Sequence, residues 1–323
     1  MNGEKSFNIG GRQVVYNSIH ELVGNTPLLK INHFHLPENV YIFAKLEYYN
    51  PGGSVKDRLG VELIQDAIRR GKLSPGDTII EPTAGNTGIG LALAAKKIGL
   101  KAIFVVPEHF SQEKQLIMQA LGAKIIHTPK EAGMTGAVEK TNELLQQIPG
   151  SYSPQQFKNP ANPKTYYSTL APEIWRDLKG DVDIFIAGAG SGGTFMGCAQ
   201  FFKERDSTIK TIIVEPEGSI IAGGKPGSHR TEGIGMEFFP PFLDSSYFDQ
   251  IYTVQDQQAF ALVQELANRE GLLVGSSSGA VMHAALEEAK VAPEGTNIVT
   301  IFPDGSDRYL SKDIYSKVKG GEI

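Results

Sequence analysis

Cysteine is nearly missing: Cys198 is the one thiol in 323 residues. No intramolecular disulfide can form, which agrees with a reducing, cytoplasmic setting. Phe195, Met196, Ala199 and Phe202 accompany it on an apolar helix face, so it reads as buried filler. Long apolar runs are missing too. Residues 102–106, 184–187 and 272–274 fall well under the roughly 18 residues that a membrane-spanning helix needs. Positive charge is not in excess: 31 Lys and Arg face 36 Asp and Glu, a net charge of −5. With no basic patch, nucleic acid and membrane are excluded as partners. Residues 1–16 are polar and form a loose arm, without the apolar core or small-residue cleavage site of a secretion signal. No repeat or low-complexity tract is present, and no metal site is expected.

What remains is an ordinary globular composition, 41% apolar and 21% charged, in a chain long enough for one large or two modest domains. Strand and helix patterns alternate. Strands are expected over 40–44, 78–82, 101–106, 123–127, 183–187, 211–215, 272–274 and 297–302. Helices are expected over 59–68, 88–98, 111–121, 135–147, 165–178, 194–204, 254–270 and 279–289, with a short one at 18–23. The near-continuous apolar strands predict parallel sheets covered by helices on both faces. A Pro-, Asn- and Gln-rich stretch at 151–165 reads as a loop between two lobes. The irregular, Gly- and Pro-rich segment 216–247 is long enough to be functional.

The 36 glycines gather in a few turns. Asn50-Pro51-Gly52-Gly53-Ser54-Val55-Lys56 links a strand to a helix and leaves Lys56 at the helix start. The dipole there is already positive, so the lysine is electrostatically misplaced and invites a chemical use. Gly188-Ala189-Gly190-Ser191-Gly192-Gly193-Thr194 also opens a helix, and its backbone N–H groups can cradle a phosphate. Read as G-x-G-x-x-G with Glu215 on the next strand, it suits a dinucleotide-dependent dehydrogenase as well. Gly275-Ser276-Ser277-Ser278-Gly279 matches the G-x-S-x-G of hydrolases, although no histidine follows His283 to serve as the triad base. Glu81-Pro82-Thr83-Ala84-Gly85-Asn86-Thr87-Gly88 supplies hydroxyl, amide and backbone donors suited to a small carboxylate. One ligand answers all four turns: pyridoxal phosphate. Its phosphate takes the 190–194 loop, its aldehyde Lys56, its ring nitrogen a hydroxyl, and an amino-acid carboxylate takes the 83–87 loop.

At this point the residues resemble the fold type II, or β-family, pyridoxal-phosphate enzymes of the cysteine synthase and cystathionine β-synthase group. Six motifs match in order: 50–58, 81–88, 156–163, 188–194, 232–235 and 275–279. The resemblance spans about 18–310. It implies two three-layer α/β/α lobes with mostly parallel sheets: a small mobile lobe over 48–157 that closes on the substrate, and a large phosphate-binding lobe from 12–47 and 158–323. It implies that Lys56 carries the cofactor as a Schiff base and later acts as the base. Asn86 bonds the ring hydroxyl, Gly190, Ser191, Gly192, Gly193 and Thr194 hold the phosphate, and Ser277 faces the ring nitrogen. Thr83, Ala84, Gly85, Thr87 and Gln156 bind the substrate carboxylate. A homodimer is implied as well.

Three features resemble the bacterial O-acetylserine-dependent cystathionine β-synthases within that group. Ala84 stands where cysteine synthases usually have serine. Glu232-Gly233-Ile234-Gly235 replaces the common Gln-Gly-Ile-Gly. Residues 169–174 and 229–231 follow the same pattern. The resemblance therefore implies a β-replacement of O-acetylserine by homocysteine, giving cystathionine and acetate on the route from methionine to cysteine. Cysteine synthesis from O-acetylserine and sulfide is the alternative. An acid at 232, beside Gly233, suits the ammonium of homocysteine, which sulfide lacks. Neither haem nor adenosyl-methionine control is expected.

Overall fold

The computed structural model describes residues 8–9, 12–13, 15–83, 85–108 and 111–315. Most of the expected arm over 1–16 lies outside them. In chain order the elements are β1 (Asn8–Ile9), β2 (Arg12–Gln13), β3 (Leu28–Lys30), β4 (Tyr41–Leu46), α1 (Lys56–Arg69), β5 (Thr78–Pro82), α2 (Asn86–Ile98), β6 (Lys101–Pro107), α3 (Gln112–Ala120), β7 (Lys124–Thr128) and α4 (Gly133–Gln147). There follow β8 (Ser151–Tyr152), α5 (Ala161–Ser168), α6 (Leu170–Asp177), β9 (Ile184–Gly188), α7 (Gly193–Arg205), β10 (Lys210–Pro216), β11 (Gln250–Val254), α8 (Asp256–Glu270), α9 (Ser276–Ala289) and β12 (Asn297–Phe302).

β1 and β2 form a small antiparallel pair. The other strands make two sheets. The larger runs β11-β10-β9-β12-β4-β3 and is parallel except for β3; the smaller runs β7-β6-β5-β8 and is parallel throughout. Alternation along the strands divides the core between sheet faces. On β9, Phe185 and Ala187 join the cluster of Phe195 and Phe202 from α7, whereas Ile184 and Ile186 join Ala280, Met282 and Ala284 from α9. All six residues of β12 are buried, as the centre of a doubly covered sheet requires.

Three expectations need correction. The single helix over 165–178 is two helices, α5 and α6, broken at Thr169 (φ −127°, ψ −64°). Pro172 has no N–H to give the carbonyl of Ser168 four residues earlier, and its ring crowds that carbonyl. The stretch 272–274 forms no strand; Val274 makes one isolated bridge to Gly305, and Leu273 is exposed. Strand β8 sits where a loop was expected, and β11 covers residues left unassigned together with Val254, expected as the start of a helix. β11 is an edge strand with mostly half-buried residues, so its apolar signal is weak.

α1 and α2 cross at glycines. A Cβ on Gly60 would lie 2.2 Å from the carbonyl carbon of Gly90, and one on Gly90 would lie 2.4 Å from the carbonyl oxygen of Lys56. This close approach fixes the first turn of α1 against α2, and with it Lys56. Gly60→Ala is expected to lose about 1–3 kcal/mol by overpacking, although alanine favours an isolated helix by about 1 kcal/mol. Urea unfolding checks this; an unchanged or raised midpoint would mean the crossing relaxes at no cost.

Candidate active site

The site lies beyond the carboxyl ends of the parallel strands, where α/β folds place their ligands. β4 leads to Lys56, β5 to the 83–87 loop, β9 to the 188–194 loop and β12 to Asp304. The Gly53 N–H closes the turn on Asn50 O (2.7 Å), and Val55 N–H donates to Pro303 O (2.9 Å), docking this turn onto the end of β12. Lys56 is the first residue of α1. Its backbone N–H donates to Ser54 Oγ at 3.2 Å. Burial draws the Lys56 ammonium down to about 8, against the opposite pull of Asp304 and Glu47. Its Nζ lies 5.8 Å from the centre of the Tyr166 ring.

Two residues further on, Arg58 is buried between two carboxylates. Its Nε and Nη2 donate to Glu47 Oε2 and Oε1 at 2.8 and 2.9 Å, and its Nη1 and Nη2 to Glu173 Oε1 and Oε2 at 2.7 and 2.8 Å. Lys45, fully buried, joins Glu173 at 3.0 Å. Burial pushes the Glu173 carboxyl up, but Arg58 and Lys45 outweigh it and hold it at about 2.

Lys56 lines two adjoining spaces. One is a narrow cleft of about 40 Å³ bounded by Gly188, Gly190, Ser191, Gly192, Thr194 and Ser277. The other is a cavity of about 780 Å³ that also meets Thr83, Gly85, Asn86, Thr87, Gln156, Glu232 and Gly233. The structure thus brings the expected site residues together, apart from Ala84, which lies outside the described residues. Ser277 is buried in the first turn of α9, so the three serines belong to the helix rather than to the turn before it.

The narrow cleft fits a phosphate. It ends on the N-terminus of α7, a helix of 13 residues, and no carboxylate lines it among the described residues. Bare backbone is essential: a Cβ on Gly190 would sit 2.6 Å from Gly233 O, and one on Gly193 would sit 1.9 Å from Asn162 Oδ1. Ser191 Oγ accepts from Asn162 Nδ2 at 3.0 Å and so is set in place. A buried amine with a lowered pKa, beside such a cradle, is the donor set that an aldehyde-bearing phosphate requires. Glu215 does not serve a dinucleotide. It is fully buried and accepts from Ile221 N (2.9 Å), Ala222 N (3.1 Å) and Thr253 Oγ1 (3.1 Å), which makes it a staple for the 216–247 segment.

Thr87 Oγ1 donates to Gln156 Oε1 at 2.7 Å, joining two loops far apart in sequence. Behind them Glu81, on β5, accepts from Ser153 Oγ (2.7 Å) and from the backbone of Gln155 and Gln156 (both 3.0 Å). Burial pushes the Glu81 carboxyl up against these donors. Asn86 is gripped at both ends: its Nδ2 donates to Asp304 Oδ2 and its Oδ1 accepts from Arg308 Nη1, each at 2.6 Å. Tyr309 also donates to Asp304, and Arg308 to Gly52 O. Glu232 is paired with Lys114 (2.7 Å) and Lys312. Burial raises its carboxyl, yet the two lysines hold it below the usual range. Sequence reasoning missed Asp304, Arg308, Lys114 and Lys312. The polar run Asp304-Gly305-Ser306-Asp307-Arg308 after an apolar strand was the available signal. For Cys198, burial pushes the thiol up, as inert filler requires.

Comparison with known proteins matches this geometry. A family described as pyridoxal-phosphate dependent enzyme matches residues 19–304. The O-acetylserine dependent cystathionine beta-synthase of Bacillus subtilis (strain 168) is 64% identical over 301 residues, 93% of this chain and 98% of the relative. A cysteine synthase of Helicobacter pylori (strain 26695) is 54% identical over 94% of this chain and 99% of its own length. The crystal structure of the O-acetylserine dependent cystathionine beta-synthase from Helicobacter pylori superposes with a TM-score of 0.90 at 54% identity, over 94% of this chain and all of that one. The chain therefore belongs to the pyridoxal-phosphate dependent enzymes of fold type II, with pyridoxal phosphate as its cofactor.

Proposed function

We propose that the enzyme joins O-acetyl-L-serine and L-homocysteine to give L-cystathionine and acetate. The observation that carries this reading is the 780 Å³ cavity, large enough for two amino acids, which puts Lys56, a neutral carboxylate-binding loop and the charged Glu232 around one space. The names of the relatives from Bacillus subtilis and Helicobacter pylori support it. Cysteine synthesis from O-acetylserine and sulfide is the second reading, supported by the Helicobacter pylori relative that carries that name.

In this proposal Gly190, Ser191, Gly192, Gly193 and Thr194 hold the cofactor phosphate, Asn86 its ring hydroxyl and Ser277 its ring nitrogen, with Lys56 at the aldehyde. Bound there, pyridoxal phosphate supplies the electron sink for carbanion chemistry at an amino-acid α-carbon. Thr83, Ala84, Gly85, Thr87 and Gln156 hold the substrate carboxylate, and the Thr87–Gln156 bond keeps its two sides in register. Lys56 Nζ removes the α-proton as general base, a role suited to an amine brought near neutrality. Ser277, uncharged, would meet the ring nitrogen with a hydroxyl in place of a carboxylate. Glu232 and Gly233 face the thiol substrate. The lobe over 48–157 closes on the larger lobe during turnover. A cytoplasmic homodimer completes the proposal; the exposed apolar side chains of Val15, Tyr16, Ile19 and Leu22 are surface that a second copy would cover. Among the described residues no helix is long and apolar enough to cross a membrane.

Lys56→Ala is expected to abolish the visible absorbance of the bound cofactor and to lower turnover by roughly 10²–10⁴-fold or more; retained colour and turnover would remove Lys56 from its role. In the cofactor-free protein, acylation of Lys56 by an amine-directed reagent should rise with pH with its midpoint at about 8, because the reactive species is the neutral amine and burial has lowered its pKa from 10.5. A midpoint near 10, read by peptide mass analysis, would contradict that environment. With O-acetylserine fixed, homocysteine is expected to yield cystathionine at a rate at least comparable to cysteine from sulfide. Cysteine alone, with no cystathionine, would select the second reading.

A further inference from the structure

We propose that Lys114, assisted by Lys312, is the carboxylate subsite for the thiol-bearing amino acid, which enters by dividing the Lys114–Glu232 ion pair. This rests on the two-amino-acid reaction above and names the residues that read its second substrate.

Lys114 stands on α3, beside the smaller sheet, and Glu232 on the long loop of the larger one, so their bond at 2.7 Å bridges two segments that line the cavity. The Lys114 side chain is only 5% exposed. A lysine so enclosed needs a stated partner, since desolvating an ammonium is expensive. Its charge is met by Glu232, and the Tyr309 ring lies 4.3 Å beneath the ammonium. Lys312 Nζ takes the other oxygen of Glu232. Of the charged side chains that line the cavity besides Lys56, Lys114, Arg230 and Lys312 stand against Glu232 and Asp313, an excess of one positive charge.

The backbone that carries the acid is pinned. Thr231 N–H and Oγ1 bond Asp256 Oδ1 at 2.9 and 2.7 Å, Arg230 N–H bonds Asp256 Oδ2 at 2.6 Å, and Glu232 N–H donates to Ser276 Oγ at 3.0 Å. Gly235 N–H reaches Ala189 O at 2.9 Å, beside the phosphate cradle. The lysines have long, adaptable stems. A zwitterion brings one charge of each sign. Its ammonium can take Glu232 while its carboxylate takes Lys114 and Lys312, and no buried charge is left alone. Sulfide offers no such exchange. The subsite is distinct from the carboxylate loop at Thr83, Gly85 and Thr87, whose donors are neutral.

The test uses cofactor-loaded enzyme with saturating O-acetylserine and four thiols: homocysteine, 3-aminopropane-1-thiol without the carboxylate, 4-mercaptobutyrate without the ammonium, and sulfide. In Lys114→Met the kcat/KM of homocysteine and of 4-mercaptobutyrate should fall about 10–100-fold relative to 3-aminopropane-1-thiol and sulfide, the worth of one charge-assisted hydrogen bond. The loss should lie mainly in KM, Lys114→Arg should recover most of it, and Lys312→Met should act in the same sense but less. Bound-cofactor absorbance and the thermal midpoint check that each variant is folded. An equal loss for all four thiols would mean a structural bridge and overturn the subsite. Homocysteine turnover unaffected by Lys114→Met would overturn it alone, leaving the reaction standing. If the unsubstituted enzyme uses sulfide but not homocysteine, the proposed reaction fails, and the subsite fails with it.

Discussion

The structure depends on where Arg58 sits. Its guanidinium is clasped on two edges by Glu47 and Glu173, out of water, two residues beyond the lysine that the chemistry needs. Glu47 follows β4 of the larger sheet and Glu173 belongs to α6, while Arg58 belongs to α1, which packs on the smaller sheet's α2. One side chain therefore ties three elements to the turn that presents Lys56. Breaking such a pair strands a buried charge, at about 3–5 kcal/mol. Thr26 Oγ1 and Asn50 Nδ2 also donate to Glu47, at 2.6 and 2.8 Å, so the Asn50 turn is tied into the same cluster. The misplaced-looking lysine at a helix start is tolerable because the surrounding carboxylates oppose the positive dipole.

Much of this was legible in the sequence because the signals were local. β5 and β12 begin and end where the apolar runs do, and Lys56, Gly190 and Ser277 stand at or just before the helix starts that punctuate the alternation. The anion cradle is legible for the same reason: a glycine cluster between strand and helix has few other uses. The break at Thr169 was missed although Pro172 announced it, since the apolar pattern on either side stayed in helical register. Residues 272–274 misled in the other direction: an apolar triplet without alternation carries no strand-pairing information.

Contacts between remote segments were illegible. Arg308 lies 222 residues from Asn86 and Lys114 lies 118 from Glu232, and neither pair shares a motif or a period. Glu215 shows the converse. Its place at the end of a strand fits a ribose-binding acid, but its three donors show a carboxylate anchoring a loop. The resemblance to a family supplied roles for single residues. The structure added Asp304, Arg308 and Glu81, which hold those residues in place from behind, and Lys114, which lines the cavity beside Glu232.

Glu81 shows what that layer does. It sits on β5, two residues before Thr83, yet grips the segment that carries Gln156. The segments of Thr83 and Gln156 are thus rooted in one strand, and the Thr87–Gln156 bond closes the ring. The two form one hydrogen-bonded unit. In the proposed reaction a substrate carboxylate would not gather its donors one by one: most of the ordering entropy of that subsite is already spent when the chain folds, and the free energy of binding is left for orienting the α-carbon.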